Sequence, residues 1–128
     1  MNVIVTDAGF GPDDWTGGFD TPRVLDLPPD TDPATLAGRL DGVDLIRLHF
    51  PSSADGRGFS IARQLRLTGY AGRLRACGHV LADQYTMARR AGFDEVEIGP
   101  DLAARQPEDQ WLSRANWRAH DYQSRLRG

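Results

Sequence analysis

The chain has 128 residues, 40% of them apolar and 26% charged, and a net charge of −3 with its histidines neutral. That length suits one domain, 1–128, and is short for two, while the negative balance argues against a nucleic-acid binder held by phosphate contacts. All 15 basic residues are arginine, which removes Schiff-base and P-loop lysine chemistry, and the single cysteine, Cys77, excludes an internal disulfide, a cysteine-rich zinc site and a four-cysteine iron–sulfur cluster.

Residues 1–20 are rich in Gly and Asp and read as an N-terminal extension, in which residues 3–5 offer an extra strand and Trp15 and Phe19 dock on the body. Residues 23–27 (RVLDL) read as a short strand closed by Pro28-Pro29-Asp30. A helix is expected over residues 33–40, with Asp32 as N-cap and Pro33 at the first helical position. Residues 43–50 (VDLIRLHF) form the clearest strand, and Pro51 ends it. The loop 51–58 leads to a helix over residues 60–68, with Ile61, Leu65 and Thr68 on one face and Gly69 at the left-handed stop. Residues 72–77 (GRLRAC) are the next strand. A helix over 80–91 places Leu81, Tyr85 and Ala88 on one stripe with Gly92 as its stop, and residues 93–98 (FDEVEI) form a fourth strand. Pro107, Glu108 and Asp109 open a C-terminal helix over 107–127, whose stripe of Trp111, Ala115, Ala119, Tyr122 and Leu126 packs on this chain or on a second copy as a homodimer.

Strands alternating with helices over short connections imply an α/β fold of about four parallel strands joined by right-handed crossovers, half-barrel-like or a small open sheet, plus a C-terminal helix. Residues 42–48 and 92–98 share the pattern Gly-apolar-Asp-x-apolar-x-apolar, as two successive strand–helix units would. Alternate strand residues face opposite ways, so Arg47, His49, Arg75, Cys77 and Glu97 share one face of the sheet, whereas buried parallel strands are usually apolar on both. Two arrangements explain this. Either the polar face lines a cavity, or it is solvated or covered by the N-terminal segment, with arginine–glutamate pairs across neighbouring strands.

Open parallel sheets bind ligands outside the carboxyl ends of their strands, which puts His49 and His79 on the chemically interesting side. Asp55 or Asp83 could join them, but no recognised ligand spacing is present and no metal is expected. The loop Asp55-Gly56-Arg57-Gly58-Phe59-Ser60 is the leading candidate for an anion- or partner-binding site: it enters a helix, its glycines permit close approach, and Arg57 supplies a positive fork. The same loop also reads as a structural turn with Ser60 as helix cap. It falls short of a dinucleotide fingerprint, since Ile61 stands at the third glycine position. Cys77 reads as a small core cysteine, or as a reactive thiol if Arg75 and the following helix start depress its pKa. No apolar run approaches a membrane span and Met1-Asn2-Val3-Ile4 has no basic n-region, so a soluble, cytoplasmic protein without a membrane or nucleic-acid partner is expected.

The run Phe50-Pro51, Asp55-Gly56-Arg57-Gly58-Phe59-Ser60, Leu65-Arg66, Gly69-Tyr70, Leu74-Arg75-Ala76, Asp83-Gln84 and Gly92-Phe93-Asp94 resembles an uncharacterised bacterial family. Its members are often labelled oxidoreductases involved in sulfite reduction, because they accompany assimilatory sulfite reductase. The chain departs from that pattern at His79, where an acidic residue is usual, and at Ser52-Ser53, where a bulkier pair is usual. The resemblance implies an accessory role in sulfur assimilation and cysteine biosynthesis, docking on sulfite reductase or supporting electron delivery to it, with no tightly held cofactor. It moves weight to Asp55, Arg57, Ser60, Arg63, Arg66, Arg75, Asp83 and Gln84 and away from a family-wide role for His79. The anion- or partner-binding candidates are then Asp55, Arg57, Gly58, Ser60, Arg75, Asp83 and Gln84, and the polar sheet face and strand ends add Arg47, His49, His79 and Glu97 as secondary ones. The rival expectation is a small barrel-like enzyme on an anionic metabolite, with Arg47, Arg57 and Arg75 binding the anion and His49 or Glu97 handling protons.

Overall fold

Strands with apolar residues at alternate positions need one surface to close on, and here that surface is a layer of helices on one side of a sheet. The computed structural model describes residues 2–118. Its strands are β1 (Val3–Thr6), β2 (Gly9–Gly11), β3 (Val24–Leu27), β4 (Leu45–Phe50), β5 (Arg73–Gly78) and β6 (Glu95–Ile98). Its helices are α1 (Arg57–Leu67), α2 (Tyr85–Ala91), α3 (Pro100–Arg105) and α4 (Glu108–Leu112), with 3-10 turns at Pro33–Leu36 and Ala82–Gln84.

The strands lie in the order β2-β1-β6-β5-β4-β3, an open sheet with β2 and β3 at its two edges. β3 to β6 are parallel neighbours in chain order, while β1 runs antiparallel to both β6 and β2. Each parallel crossover steps one place in the same direction, and right-handed connections then deliver every helix to the same face. Ile61, Ala62 and Leu65 of α1 and Tyr85 and Ala88 of α2 accordingly join one core with Ile46, Leu48, Phe50, Leu74, Ala76, Val96 and Ile98. Phe50 is its aromatic centre, with ring centroids 5.0 Å from Phe59 and 5.9 Å from Phe93.

Local signals account for most boundaries. The Asp32 carboxylate accepts from the Ala34 amide at 3.0 Å and starts the 3-10 turn. Gly69 and Gly92 stop their helices at φ of 103° and 117°.

The structure is mixed α/β, as expected, with β3 to β6 its four parallel strands and β1 on the strand offered by residues 3–5, while β2 brings the sheet to six. β1 and β2 form a hairpin in the N-terminal extension, closed by Asp7-Ala8 between the partners Thr6 and Gly9. It is anchored by Asp7, which accepts from the Tyr85 hydroxyl at 2.5 Å and from Arg89 at 3.2 Å. The helix expected over 33–40 is a single 3-10 turn, because Gly38 takes a φ of 78°. The one expected over 80–91 opens as a 3-10 turn and becomes α-helical at Tyr85. The helix expected from 107 is α4, only five residues long, and is preceded by α3. Trp111, 1% exposed, packs within this chain against Tyr85 and Phe10, with centroids at 6.1 and 6.5 Å. Ala119, Tyr122 and Leu126 of the expected stripe lie outside the described residues.

Gly92 allows a sharp test of these boundaries. A Cβ there would stand 2.5 Å from Arg66 Cγ. Arg66 has little room to yield, since it donates to the carbonyls of Gly92, Tyr70 and Gly72 at 2.8–3.0 Å and to Asp94 at 2.9 Å. Gly92→Ala should lower stability by about 1–2 kcal/mol, the usual penalty for a left-handed residue with a side chain. A lower urea midpoint with an unchanged m-value would show it.

Candidate functional site

The sheet face that the helices leave open carries the charges. Register places Asp26, Arg47, Arg75 and Glu95 in one row across β3 to β6, and His49, Cys77 and Glu97 in the next row. Arg75 is fully buried: its Nε donates to Glu95 at 2.5 Å, Nη1 to Glu97 at 2.7 Å, and Nη1 and Nη2 to the two Asp13 oxygens at 2.9 Å. Arg73 grips Glu95 at 2.7 and 3.1 Å and reaches Asp14. Arg47 holds Asp26 through two bonds of 2.6 and 2.8 Å, with the Phe19 ring 3.8 Å over its guanidinium carbon.

Of the two arrangements the alternation allows, the structure has the paired one, roofed by residues 13–19. No buried side-chain nitrogen or oxygen lacks a partner among the described residues. Burial works against the charge on Arg75, but the Asp13 hydrogen bonds and the neighbouring glutamates more than reverse this. Hydrogen bonds from Arg75 in turn hold the Asp13 carboxyl below the usual carboxylate range. Burial alone would raise Asp26, yet hydrogen bonds from Arg47 and His49 outweigh it and bring its pKa down.

The glycine loop is also closed on itself. Asp55 accepts from the Arg57 amide at 3.2 Å and from its guanidinium at 2.9 and 2.7 Å. The anion held at the start of α1 is therefore Asp55 itself. α1 begins at Arg57 after Gly56, so exposed Ser60 stands inside the first turn and is not the cap. Gly58 makes room for a ring rather than a ligand: a Cβ there would lie 2.5 Å from the Phe50 Cζ. Gln84 meets this loop, donating to the Ser53 carbonyl at 2.8 Å and accepting from the Leu81 amide at 2.9 Å. Asp83 turns to the tail and pairs with Arg114 at 2.8 Å.

The expected residues thus fall into separate groups. Arg47, His49, Arg75 and Glu97 lie on the open sheet face; Asp55, Arg57, Gly58 and Ser60 lie on the loop after β4; Gln84 braces that loop and Asp83 stands away from it. His79 lies at the carboxyl end of β5, on the rim of a cleft of about 410 Å³. Its walls are residues 51–53 after β4, His79 and Leu81 after β5, and Leu102, Arg105 and Gln106 of α3 and its end. Gly78, at φ 113°, bends the chain so closely over β4 that a Cβ would stand 2.5 Å from the Phe50 carbonyl oxygen, and the His79 amide donates to that same oxygen at 2.9 Å. The far wall is pinned because Gln106 Oε1 accepts from the Ala82 amide at 2.6 Å. A larger hollow of about 660 Å³ lies at the amino ends of the strands, and Asp41 is the one charged side chain in its lining.

Cys77 is buried, and burial together with the Glu97 charge pushes its thiol pKa up. It is a protonated core cysteine, not a thiolate nucleophile. Among the described residues no group of three or more His, Cys, Asp or Glu is placed to hold a metal ion. No described helix is long and apolar enough to cross a membrane. No motif singles out Arg105 or the Asp13 carboxylate in the sequence; Pro100, which opens a helix just past a strand end, is the one signal that points toward Arg105.

Residues 24–128 match the family described as "Bacterial protein of unknown function (DUF934)", and the chain belongs to that family. No curated protein and no solved structure matches it.

The charge network makes its own prediction. Arg75→Met leaves Glu95, Glu97 and Asp13 without their shared cation and should destabilise the fold by about 3–5 kcal/mol, as breaking buried pairs does. Asp13 and Asp26 have folded pKa values below the usual 3.8, so their contribution is complete above that value and is lost as pH falls through the folded values. Urea unfolding of the parent should therefore weaken steeply below pH 3.8, and Arg75→Met should flatten the share that Asp13 contributes.

Proposed function

We propose that this member of the family is an accessory protein of assimilatory sulfite reduction, acting by contact with the reductase rather than through a catalytic centre of its own. The resemblance across residues 43–98 supplies the pathway. The observation that carries the accessory character is the closure of the sheet-face charges: Arg47, Arg75 and Glu97 are bound to one another and to Asp13, Asp26 and Glu95. An enzyme gripping an anionic metabolite with Arg47, Arg57 and Arg75 finds less support, because each of those guanidinium groups already holds a carboxylate.

The outer face of α1 and α2 suits contact with an acidic partner. Leu67 and Met87 are 80% and 56% exposed there, and Arg63 and Arg90 flank Met87 around a shallow depression of about 260 Å³. Leu67 follows Arg63 by one turn on the same helix face. An apolar centre with a basic rim is the usual composition of a docking surface.

Deletion of the gene should abolish growth on sulfite as sole sulfur source and leave growth on sulfide intact. Normal growth of the deletion strain on sulfite would overturn the reading. A Leu67→Asp protein, substituted at an exposed position, should stay folded and reproduce the growth defect; full complementation by it would remove the α1 face from the proposal.

A further inference from the structure

We infer that the cleft at the carboxyl rim is a binding site for a small oxyanion-bearing molecule, with Arg105 and His79 as its anchors. The inference stands on the cleft alone and does not depend on the accessory role.

Position is the first argument. The cleft opens where β4, β5 and β6 hand the chain to the following segments, the end of a parallel sheet at which ligands collect. Its volume of about 410 Å³ falls within the range of small-molecule sites, roughly 300–1,000 Å³.

Charge is the second. Among the described residues the lining carries a guanidinium, an imidazole and the hydroxyls of Ser52 and Ser53, and no carboxylate. Two of the rim acids nearby are already engaged, Asp55 by Arg57 and Asp83 by Arg114, while Asp101 is exposed and lies outside the lining. Arg105 enters none of the ion pairs among the described residues, although Asp101 stands one turn earlier on the same helix. Arg105 shares this lack of an ion pair among the described residues with Arg63 and Arg90, but theirs is a shallow depression of about 260 Å³ on the helix face, whereas Arg105 stands in the larger cleft at the strand ends. A planar fork of donors matches two oxygens of a carboxylate, sulfonate, sulfite or phosphate.

Preorganisation is the third. The bend at Gly78 and the amide bond from His79 to Phe50 fix one side of the mouth, and the Gln106–Ala82 bond fixes the other. The walls are thus set before a ligand arrives, and the exposed Arg105 and His79 side chains are what it orders. Leu81 and Leu102 add apolar wall for a carbon skeleton, so the head group can be inorganic or carried on a small organic molecule.

The test is an NMR titration of the full chain at fixed ionic strength with sulfite, phosphate and methanesulfonate as probes, and chloride as the ionic control. Saturable shifts confined to residues 51–53, 78–82 and 102–106 are expected with at least one probe. The stronger partner among the three identifies the head group as inorganic or organic, and either result supports the site. Arg105→Gln should weaken that binding about tenfold or more, the usual loss for a charge-assisted contact. Arg39→Gln, with the same change of charge at the opposite end of the sheet, should leave it unchanged. No saturable shift at the cleft, or parental affinity in Arg105→Gln, overturns the inference; the growth experiments judge the accessory role separately.

Discussion

A guanidinium with no access to water has five N–H groups to satisfy and a full charge to balance. Arg75 answers with four hydrogen bonds, to Glu95 and Glu97 from the neighbouring strand and to both oxygens of Asp13 from a segment 62 residues away in the chain. Desolvating such an ion costs several kcal/mol before any partner arrives, so the cluster acts chiefly as a specification. A slip of one residue in β5 would turn Arg75 into the aromatic core. The same cluster holds residues 13–19 across the sheet, so a strap of loop does on this face what helices do on the other. The Phe19 ring, lying over the Arg47 guanidinium, completes that roof.

The two faces of the sheet therefore obey different rules. On one, aromatic and aliphatic side chains interlock around Phe50, and glycines appear where a ring or a backbone must come close, as at Gly58 and Gly78. On the other, acids and arginines are matched almost bond for bond. The faces meet at the carboxyl rim, where Arg105 and His79 line the cleft and enter no ion pair among the described residues. Gln84 and Gln106 are the braces of that rim, each tying one loop to the next through a side-chain amide.

Much of this was legible in the sequence, for physical reasons that name themselves residue by residue. β4 is strongly alternating and ends at Pro51; Asp32 is followed by Pro33; Gly69 and Gly92 mark left-handed stops. Each is a local signal, and each survived. The arginine–glutamate pairing across strands was one of two open readings, because alternation fixes which residues share a face but not what covers them. The failures are long-range or short. β2 has no strand pattern of its own and is held by Glu108, which accepts from the Phe10 amide at 2.8 Å across 98 positions. α3 has six residues, too few for periodicity to declare itself. In the Arg57 loop, glycines that make space for a phosphate and glycines that make space for Phe50 look alike in one sequence, and an aspartate that holds the helix start looks like part of a binding site.

The placement of β2 and β3 at the borders of the sheet bears on how the protein behaves when crowded. An open sheet leaves backbone donors and acceptors along its outermost strands, the usual template for edge-to-edge aggregation. Here one border is three residues long and runs into Pro12, and the other is four long and runs into Pro28-Pro29. Proline offers no amide to an incoming strand, and Asp26 adds a charge to the longer border. A neighbouring molecule thus meets two blunt margins, each short and stopped by proline, which are the devices by which open sheets discourage edge-to-edge pairing.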